Sequence, residues 1–459
     1  MIFADARGST CPAAADTMPG VKPDAPHTEA VDVAVVGAGP AGLMAAIAVA
    51  EAGRRVGVFE QLQRPGAKLL ASGGGRCNLT NTLPREKFMA RFGRQGRFMQ
   101  PALAEFDSRA LRRFLDGLGV TTDAPDGLHV YPASNSALAV QKALWRRARE
   151  LGAEVRLGVH VTGLWLEGAA EKGTVPFSQR REKGTAPFSV LRGLETSGGR
   201  MAATHVILAT GGRGYPPLGG SASGYGLARE AGHTIIEPTP ALVPLVVKEP
   251  WVRRCAGASL EAARIWIDLP GESREGLTGA VLFTHTGLSG PAVLDLSGDV
   301  AALLARHKAV PLCVDLAPGI TADEWRRRFE KWRTAEPRKT IVSLLDRHLP
   351  KSLAAMLAER AEIVPALRSG HVTVRSRDRL TQLLTALPLT VTATEGWDRA
   401  MVTRGGVNLK EVDPRTLRSK RLAGLALAGE VLDLDGPSGG FNLQWAFASG
   451  YLAGKAILG

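Results

Sequence analysis

The chain has 459 residues, 45% of them apolar, and a formal net charge of +13. This length and composition predict two or three packed domains, with enough apolar residues for a core in each. The four cysteines, Cys11, Cys77, Cys255 and Cys313, are far apart, without a CxxC pair or a Cys/His cluster. A disulfide framework, a redox dithiol and a metal site are therefore not expected. We predict a reducing, cytoplasmic location.

The positive charge comes mostly from arginine and is scattered through helical stretches such as 325–332 and 375–379. No basic run alternates with aromatic residues, so we predict a solvated surface and no nucleic-acid partner. The uncharged segment 33–50 approaches the length of a membrane span, but its glycines and Pro40 indicate a strand-to-helix turn. We expect no membrane partner, and the oligomeric state stays open.

The first structural unit follows a tail, 1–30, whose Ala, Pro, Asp and Thr content predicts a disordered extension rather than a signal peptide. Residues 31–36 form an apolar strand, a glycine-rich turn leads into a small-residue helix ending near Gly53, and 55–60 form a second strand. This order is typical of half of a dinucleotide-binding βαβ unit.

The turn matches GxGxxG and reads Gly37, Ala38, Gly39, Pro40, Ala41, Gly42. Gly37 permits the tight turn, Gly39 lets a pyrophosphate approach the backbone, and Gly42 lets the helix pack on the strand. Glu60 ends the next strand, where a carboxylate can accept hydrogen bonds from ribose hydroxyls. The pattern predicts a dinucleotide without a 2′-phosphate.

Helices are predicted at 108–118 and 136–151, followed by alternating strands from 154 to 167 and again from 190. Between these strands EKGTVPFS recurs as EKGTAPFS. Two copies are too few for a repeat fold, so 171–189 is interpreted as a low-complexity loop insertion that is dispensable for the fold and for binding of the dinucleotide.

The second half begins with a buried strand, 206–209, and a glycine-rich turn. From residue 237 the sequence predicts mostly short strands. A helical block at 322–386 interrupts them, and a further strand is predicted at 389–394. A last strand, 424–428, precedes the final helix, 442–458. The pattern predicts an α/β protein whose nucleotide domain uses both chain ends, with an inserted β-rich module that carries a helical subdomain.

Three further glycine-rich segments favour FAD over other dinucleotides. KLLASGGGRCNLTN, residues 68–81, combines glycine backbone with the positive charges of Lys68 and Arg76. Thr210, Gly211 and Gly212 follow a strand. The segment 429–442 leads into the last helix, whose N-terminus is expected to stabilise a reduced flavin.

These segments, together with LATGGRGYPPLGGSASGYGLA, LFTHTGLSGPAVLDLS, VTRGGVNLKEV and GEVLDLDGPSGGFNLQWAFASGYLAG, resemble the signatures of the BaiN/YhiN-type flavoproteins. That family includes enzymes described as aminoacetone oxidases and as NAD(P)H-dependent reducers of bile-acid ring double bonds. The resemblance covers residues 31–459 except the tandem insertion. It implies a Rossmann-type FAD-binding ββα domain with an inserted β-barrel.

We accordingly predict the FAD-binding domain at 31–236 and 408–459, the barrel at 237–318 and 388–407, and the helical subdomain at 319–387. The resemblance places FAD contacts at Gly37, Gly39, Gly42, Glu60, Lys68, Arg76, Gly211, Gly429, Glu430, Asp433 and Asn442, with the backbone of Val161 at the adenine. The same segments add Pro40, Ala41, Gly74, Gly75, Asn78, Thr210, Gly212, Gly440 and Phe441.

Catalytic groups are harder to assign. His285 could protonate a substrate carbon or hold a turn, and Tyr215 could face the substrate side of the flavin. Cys77 beside Arg76 could be an activated thiolate, but a small buried side chain is the favoured interpretation.

The leading hypothesis is an FAD-dependent oxidoreductase that transfers hydride between a small organic substrate and the flavin. The sequence has no second strand–GxGxxG–helix unit for NAD(P)H. Either NAD(P)H binds transiently at the substrate face or oxygen takes its role. The alternatives are an FAD-dependent tRNA-modifying enzyme and a non-enzymatic flavin sensor.

Overall fold

The computed structural model describes residues 30–168 and 190–457. The predicted N-terminal extension and the tandem insertion lie outside these ranges. In chain order the strands are β1 Val31–Val36, β2 Val56–Glu60, β3 Thr80–Asn81, β4 Thr122–Asp123, β5 His129–Pro132, β6 Glu154–Leu157, β7 Val161–Glu167, β8 Val190–Thr196, β9 Gly199–Leu208, β10 Ile235–Ala241, β11 Leu245–Val247, β12 Ser259–Ile267, β13 Leu277–Phe283, β14 Gly287–Ser289, β15 Val310–Asp315, β16 Leu387–Thr394, β17 Val402–Val407 and β18 Leu425–Leu427.

The helices, in the same order, are α1 Pro40–Glu51, α2 Ala67–Ala71, α3 Arg85–Ala90, α4 Gln100–Glu105, α5 Ser108–Gly117, α6 Ala137–Glu150, α7 Ser223–Glu230, α8 Pro291–Leu304, α9 Ala322–Ala335, α10 Ile341–Leu345, α11 Lys351–Arg360, α12 Val374–Thr385 and α13 Phe441–Ala456. None of the helices in the described ranges is long and apolar enough to cross a membrane.

The main sheet of the first compact unit has the strand order β6-β2-β1-β9-β8-β7, and β18 pairs with β9. Its centre is parallel: β1 lies between β2 and β9, and β18 adds to β9 in the same direction. The apolar run VDVAVV of β1 is almost wholly buried, as expected for a parallel strand covered on both faces. Because β18 comes from the end of the chain, both chain ends build this sheet.

Two helices from opposite ends of the chain pack closely in this unit. A Cβ on Gly450 of α13 would lie 2.1 Å from the carbonyl oxygen of Ala41, and one on Gly454 would lie 2.4 Å from that of Ala45. The glycines of α13 thus let it lie directly against the backbone of α1. This contact fixes the last helix beside the GxGxxG turn.

The second compact unit, residues 239–401, is built around a closed barrel in the order β11-β14-β13-β12-β15-β16. Its apolar core continues into the helices α9 to α12, where Trp325, Phe329 and Trp332 pack against each other. The predicted fold class, a Rossmann-type domain from both chain ends with an inserted barrel and helices, is confirmed.

The two units divide at 238/239 and at 401/402. β17 therefore belongs with the nucleotide unit, whereas the boundaries drawn from the sequence assign 402–407 to the barrel. The physical reason is that Thr403 hydrogen-bonds within the nucleotide unit, to the backbone of Arg213 and the carboxylate of Glu430. The domain limits given above otherwise stay predictions.

Candidate functional site

Two of the three glycines of the GxGxxG turn lie against backbone that leaves no space for a side chain. Gly37 has φ +100°, and a Cβ there would lie 2.6 Å from the carbonyl oxygen of Ala209. A Cβ on Gly42 would lie 1.8 Å from the carbonyl oxygen of Gly37. Around the Cβ position of Gly39, by contrast, nothing lies within 4 Å. The turn is closed by packing at both ends and open in the middle.

Helix α1 begins in this open region. Gly39 is its N-cap, Pro40 is its first residue, and no side chain caps it. The N–H groups of the first turn and the helix dipole can therefore receive an anion. This is the environment that a dinucleotide pyrophosphate requires.

Glu60 is the last residue of β2 and is 9% exposed. One carboxylate oxygen accepts a hydrogen bond of 2.8 Å from the backbone of Ala38, and the other accepts one of 2.9 Å from the backbone of Leu62. The carboxylate is thus fixed against the glycine turn. Its remaining lone pairs can accept from ribose hydroxyls.

The segment after α2 is a run of left-handed backbone. Gly73, Gly74 and Gly75 have φ of +58°, +67° and +88°, which glycine adopts without steric cost. Arg76 is exposed, and its guanidinium lies 5.0 Å from the centre of the Tyr131 ring. The loop therefore presents backbone without side chains, together with the positive charge of Arg76.

Cys77 is fully buried, and desolvation raises the pKa of its thiol to about 12. The thiol is therefore protonated at neutral pH, and the hypothesis of an activated thiolate is wrong. The favoured interpretation, a small buried side chain, agrees with this burial.

Lys68 and Glu430 form an ion pair of 2.8 Å. The backbone of Thr403 donates to the same carboxylate at 2.8 Å, and a Cβ on Gly212 would lie 2.4 Å from it. Glu430 therefore connects α2, β17 and the turn after β9. The sequence predicts that Lys68 and Glu430 each contact FAD. Such a contact would be made in addition to the ion pair between them.

The C-terminal segment ends in an uncapped helix N-terminus. Helix α13 begins at Phe441 with Gly440 as its N-cap at φ +85°, without a side-chain cap. Asn442 uses its side chain within the preceding loop, where it binds the backbone of Gly436. What Asn442 can offer a flavin is therefore its backbone N–H. Burial raises the pKa of Asp433, which accepts a hydrogen bond from Gln95.

The remaining predicted binding residues occupy strand ends of the same unit. Val161 opens β7, where it pairs with Thr196. Gly429, at φ +77°, would place a Cβ 3.0 Å from that of Ala41. The turn of Thr210 and Gly211 directly follows the end of β9. The first unit thus contains every predicted FAD residue.

The two predicted catalytic residues are in different units. Tyr215 is half-buried in the first unit, in the left-handed region at φ +61°. His285 is exposed in the turn between β13 and β14 of the barrel unit.

FAD fits the residues present. Asn78 Oδ1 and Thr80 Oγ1 are buried acceptors without a hydrogen-bond partner among the described residues. Flavin and ribityl groups carry the N–H and O–H donors that such atoms need. When bound, FAD would supply hydride transfer, held by the GxGxxG turn, Glu60 and the start of α13. The described ranges contain no group of three or more His, Cys, Asp or Glu that could hold a metal ion.

Sequence reasoning missed several residues of this site. Thr403 lies in the VTRGGVNLKEV motif, which alone indicates no role for it, and its hydroxyl accepts hydrogen bonds from the backbone of Arg213 and Gly214. Asn81 donates to the carbonyl of Gly439 at 3.1 Å. His129 lies beside Gly439, and no local pattern in the HVYP run indicates this contact.

Comparisons with known proteins cover nearly the whole chain. The family described as "HI0933-like protein Rossmann domain" matches residues 31–456. A 3-dehydro-bile acid delta(4,6)-reductase of Clostridium scindens is 34% identical over 426 residues, covering 92% of this chain and 98% of the relative.

A ribosomal RNA dihydrouridine synthase of Escherichia coli is 28% identical over 434 residues, covering 94% of this chain and 98% of the relative. Among solved structures, a 3-ketosteroid delta1-dehydrogenase of Sterolibacterium denitrificans matches with a TM-score of 0.49 at 12% identity. It covers 93% of this chain and 99% of that one.

Proposed function

Because this chain belongs to the HI0933-like Rossmann domain family and is an FAD-dependent oxidoreductase, we propose that it reduces a ring C=C bond conjugated with a carbonyl. The names of the two relatives described above support this choice. A 3-dehydro-delta(4,6) steroid and a uracil ring differ in size, but each contains an electron-poor C=C bond. Reduction of such a bond is the chemistry that both names share.

The observation that carries the proposal is the pairing of an uncapped α1 with an uncapped α13 in one unit. The first suits the pyrophosphate of FAD, and the second suits an anion at the reacting end of the cofactor. Helices α1 and α13 lie against each other through the glycines of α13, so the distance between their two N-termini is fixed. NAD(P)H is the electron donor in this proposal.

The test follows the flavin absorbance of the purified protein, which is expected to be yellow and to release FAD rather than FMN on denaturation. NADH or NADPH should bleach the flavin band under anaerobic stopped-flow mixing, and a conjugated steroid ketone should restore it. A protein that stays colourless after incubation with FAD would overturn the proposal. Rapid reoxidation by oxygen with no reaction with either enone or RNA would show an oxidase instead.

A second candidate substrate is a uracil base in RNA. Lys87, Arg91, Arg94 and Arg97 are all exposed on one short segment. That segment also carries Phe88, whose ring lies 4.8 Å from that of Phe441 at the start of α13. A basic surface therefore flanks the candidate flavin site, where it could bind phosphates. The prediction of a solvated surface missed this segment, in which the four basic residues alternate with Phe88, Phe92 and Phe98.

The two candidates differ in their dependence on salt. Turnover of an RNA substrate should fall steeply between 50 and 200 mM salt, as expected when several phosphate contacts are lost, whereas turnover of a neutral steroid should not. An R91E/R94E variant should lose RNA reduction and keep steroid reduction. Equal loss of both activities would show that this segment supports the site structurally.

A further inference from the structure

The strand β5 presents two rings to the two glycine loops of the site. His129 and Tyr131 alternate along β5 and so share one face of the strand. The Nε2 atom of His129 would lie 3.0 Å from a Cβ on Gly439, and Tyr131 would lie 3.7 Å from a Cβ on Gly73. One face of β5 thus contacts both the loop before α13 and the glycine run after α2.

The imidazole of His129 is oriented from its other side. Its Nδ1 lies 2.5 Å from Oδ2 of Asp126, and Oδ1 of Asp126 accepts from the backbone of both Leu128 and His129. These hydrogen bonds hold the pKa of Asp126 at about 2, so the carboxylate is ionised at neutral pH. An ionised partner keeps a proton on Nδ1 and leaves Nε2 to face Gly439.

The His129 side chain is 34% exposed, so solvent can exchange its proton. It is also next to a fixed point of the loop, because the carbonyl of Gly439 accepts a hydrogen bond from Asn81, the residue paired with His129 across β3 and β5. Gly440 then starts α13 with its backbone against Thr80. The imidazole is therefore fixed beside the helix N-terminus without being buried.

We propose that His129 is the proton donor of the reduction, with Asp126 as its positioning residue; this rests on the function proposed above. The hydride, which NAD(P)H would supply through the bound FAD, adds to the β-carbon of the enone, the C=C π bond breaks, and its electron pair moves toward the carbonyl. The α-carbon then takes a proton from Nε2 of the imidazolium. The product gains one hydride and one proton, and solvent returns the proton to His129.

The kinetic test separates the two half-reactions in H129Q. Reduction of the bound FAD by NAD(P)H should proceed within about twofold of wild type, whereas reoxidation by the enone should slow by about 100-fold or more, the range for loss of a general acid. H307Q, which changes an exposed histidine of the barrel unit, should behave as wild type in both. Equal reoxidation rates for H129Q and wild type would overturn the proposal.

A spectroscopic readout is independent of turnover. The imidazole ¹⁵N signals of His129, identified by their absence in H129Q, should report a protonated Nδ1 and should shift when dithionite reduces the flavin. In D126N the tautomer should change, and reoxidation by the enone should slow while FAD content stays the same. If the His129 signals do not shift when the flavin is reduced, His129 lies away from the cofactor, and the proposal is overturned.

The two failures remain distinguishable. If no enone or uracil is reduced but the His129 signals follow the flavin, the proposed function fails and the assignment of His129 as its donor fails with it, while its place at the flavin stands. If wild type reduces the enone and H129Q does so equally fast, only the assignment of His129 fails.

Discussion

Replacing Gly42 with alanine is expected to destabilise the nucleotide unit severely and to abolish FAD binding. The new Cβ would lie 1.8 Å from the carbonyl oxygen of Gly37, far inside van der Waals contact. Backbone atoms cannot rotate away as a side chain can, and α13 blocks retreat of α1 through its contact with Ala41. We expect a loss of about 3 kcal/mol or more in the free energy of unfolding, measured by urea denaturation.

Gly39→Ala is the matched control, since it adds the same methyl group three residues before Gly42, at the N-cap of α1. Gly39 has φ −74° and open space around its Cβ, so the apoprotein should unfold at the wild-type urea concentration. FAD should nevertheless bind at least tenfold more weakly, because the methyl group enters the space that a pyrophosphate would use. Wild-type affinity in Gly39→Ala would show that the turn does not hold the pyrophosphate.

The second large effect is expected for Glu60→Ala. The change removes the acceptor predicted for the ribose and also the acceptor for the backbone of Ala38 and Leu62. A hydrogen bond to a charged group contributes about 1.5–3 kcal/mol, so FAD should bind about 10- to 100-fold more weakly. The apoprotein should also melt at a lower temperature, which calorimetry would measure together with an FAD titration.

Glu60→Gln separates the two roles, because the amide keeps one acceptor oxygen for one of the two backbone groups. Its melting temperature should lie between those of wild type and Glu60→Ala. If both variants lose stability but bind FAD with wild-type affinity, Glu60 organises the turn and does not contact the ribose.

The parts predicted well from the sequence are those in which the signal is local. The turn from Gly37 to Gly42 and the carboxylate of Glu60 lie within one strand–helix–strand unit, so their spacing alone brings them together. The barrel and its helices were indicated by the change in apolar periodicity and by the family resemblance.

What was missed depends on contacts between distant parts of the chain. Lys68 and Glu430 are 362 positions apart, and no local pattern shows that two charges predicted to hold a cofactor pair with each other. His129 was missed because a short strand with one histidine carries no signal until the loop of Gly439 is placed against it. The role given to Gly440 was incomplete for the same reason, since its close contact is with Thr80.

The assembly of one sheet from both chain ends has a consequence for synthesis on the ribosome. When residues 31–238 have emerged, the sheet still lacks β18 beside β9, and α1 lacks α13. The barrel unit is continuous in sequence and can complete its core before translation ends. The nucleotide unit must wait for residues 402–459, and the apolar surface of β9 and α1 is uncovered in the meantime. Nascent chains stalled before β18 should therefore bind chaperones, and release from them should coincide with emergence of α13.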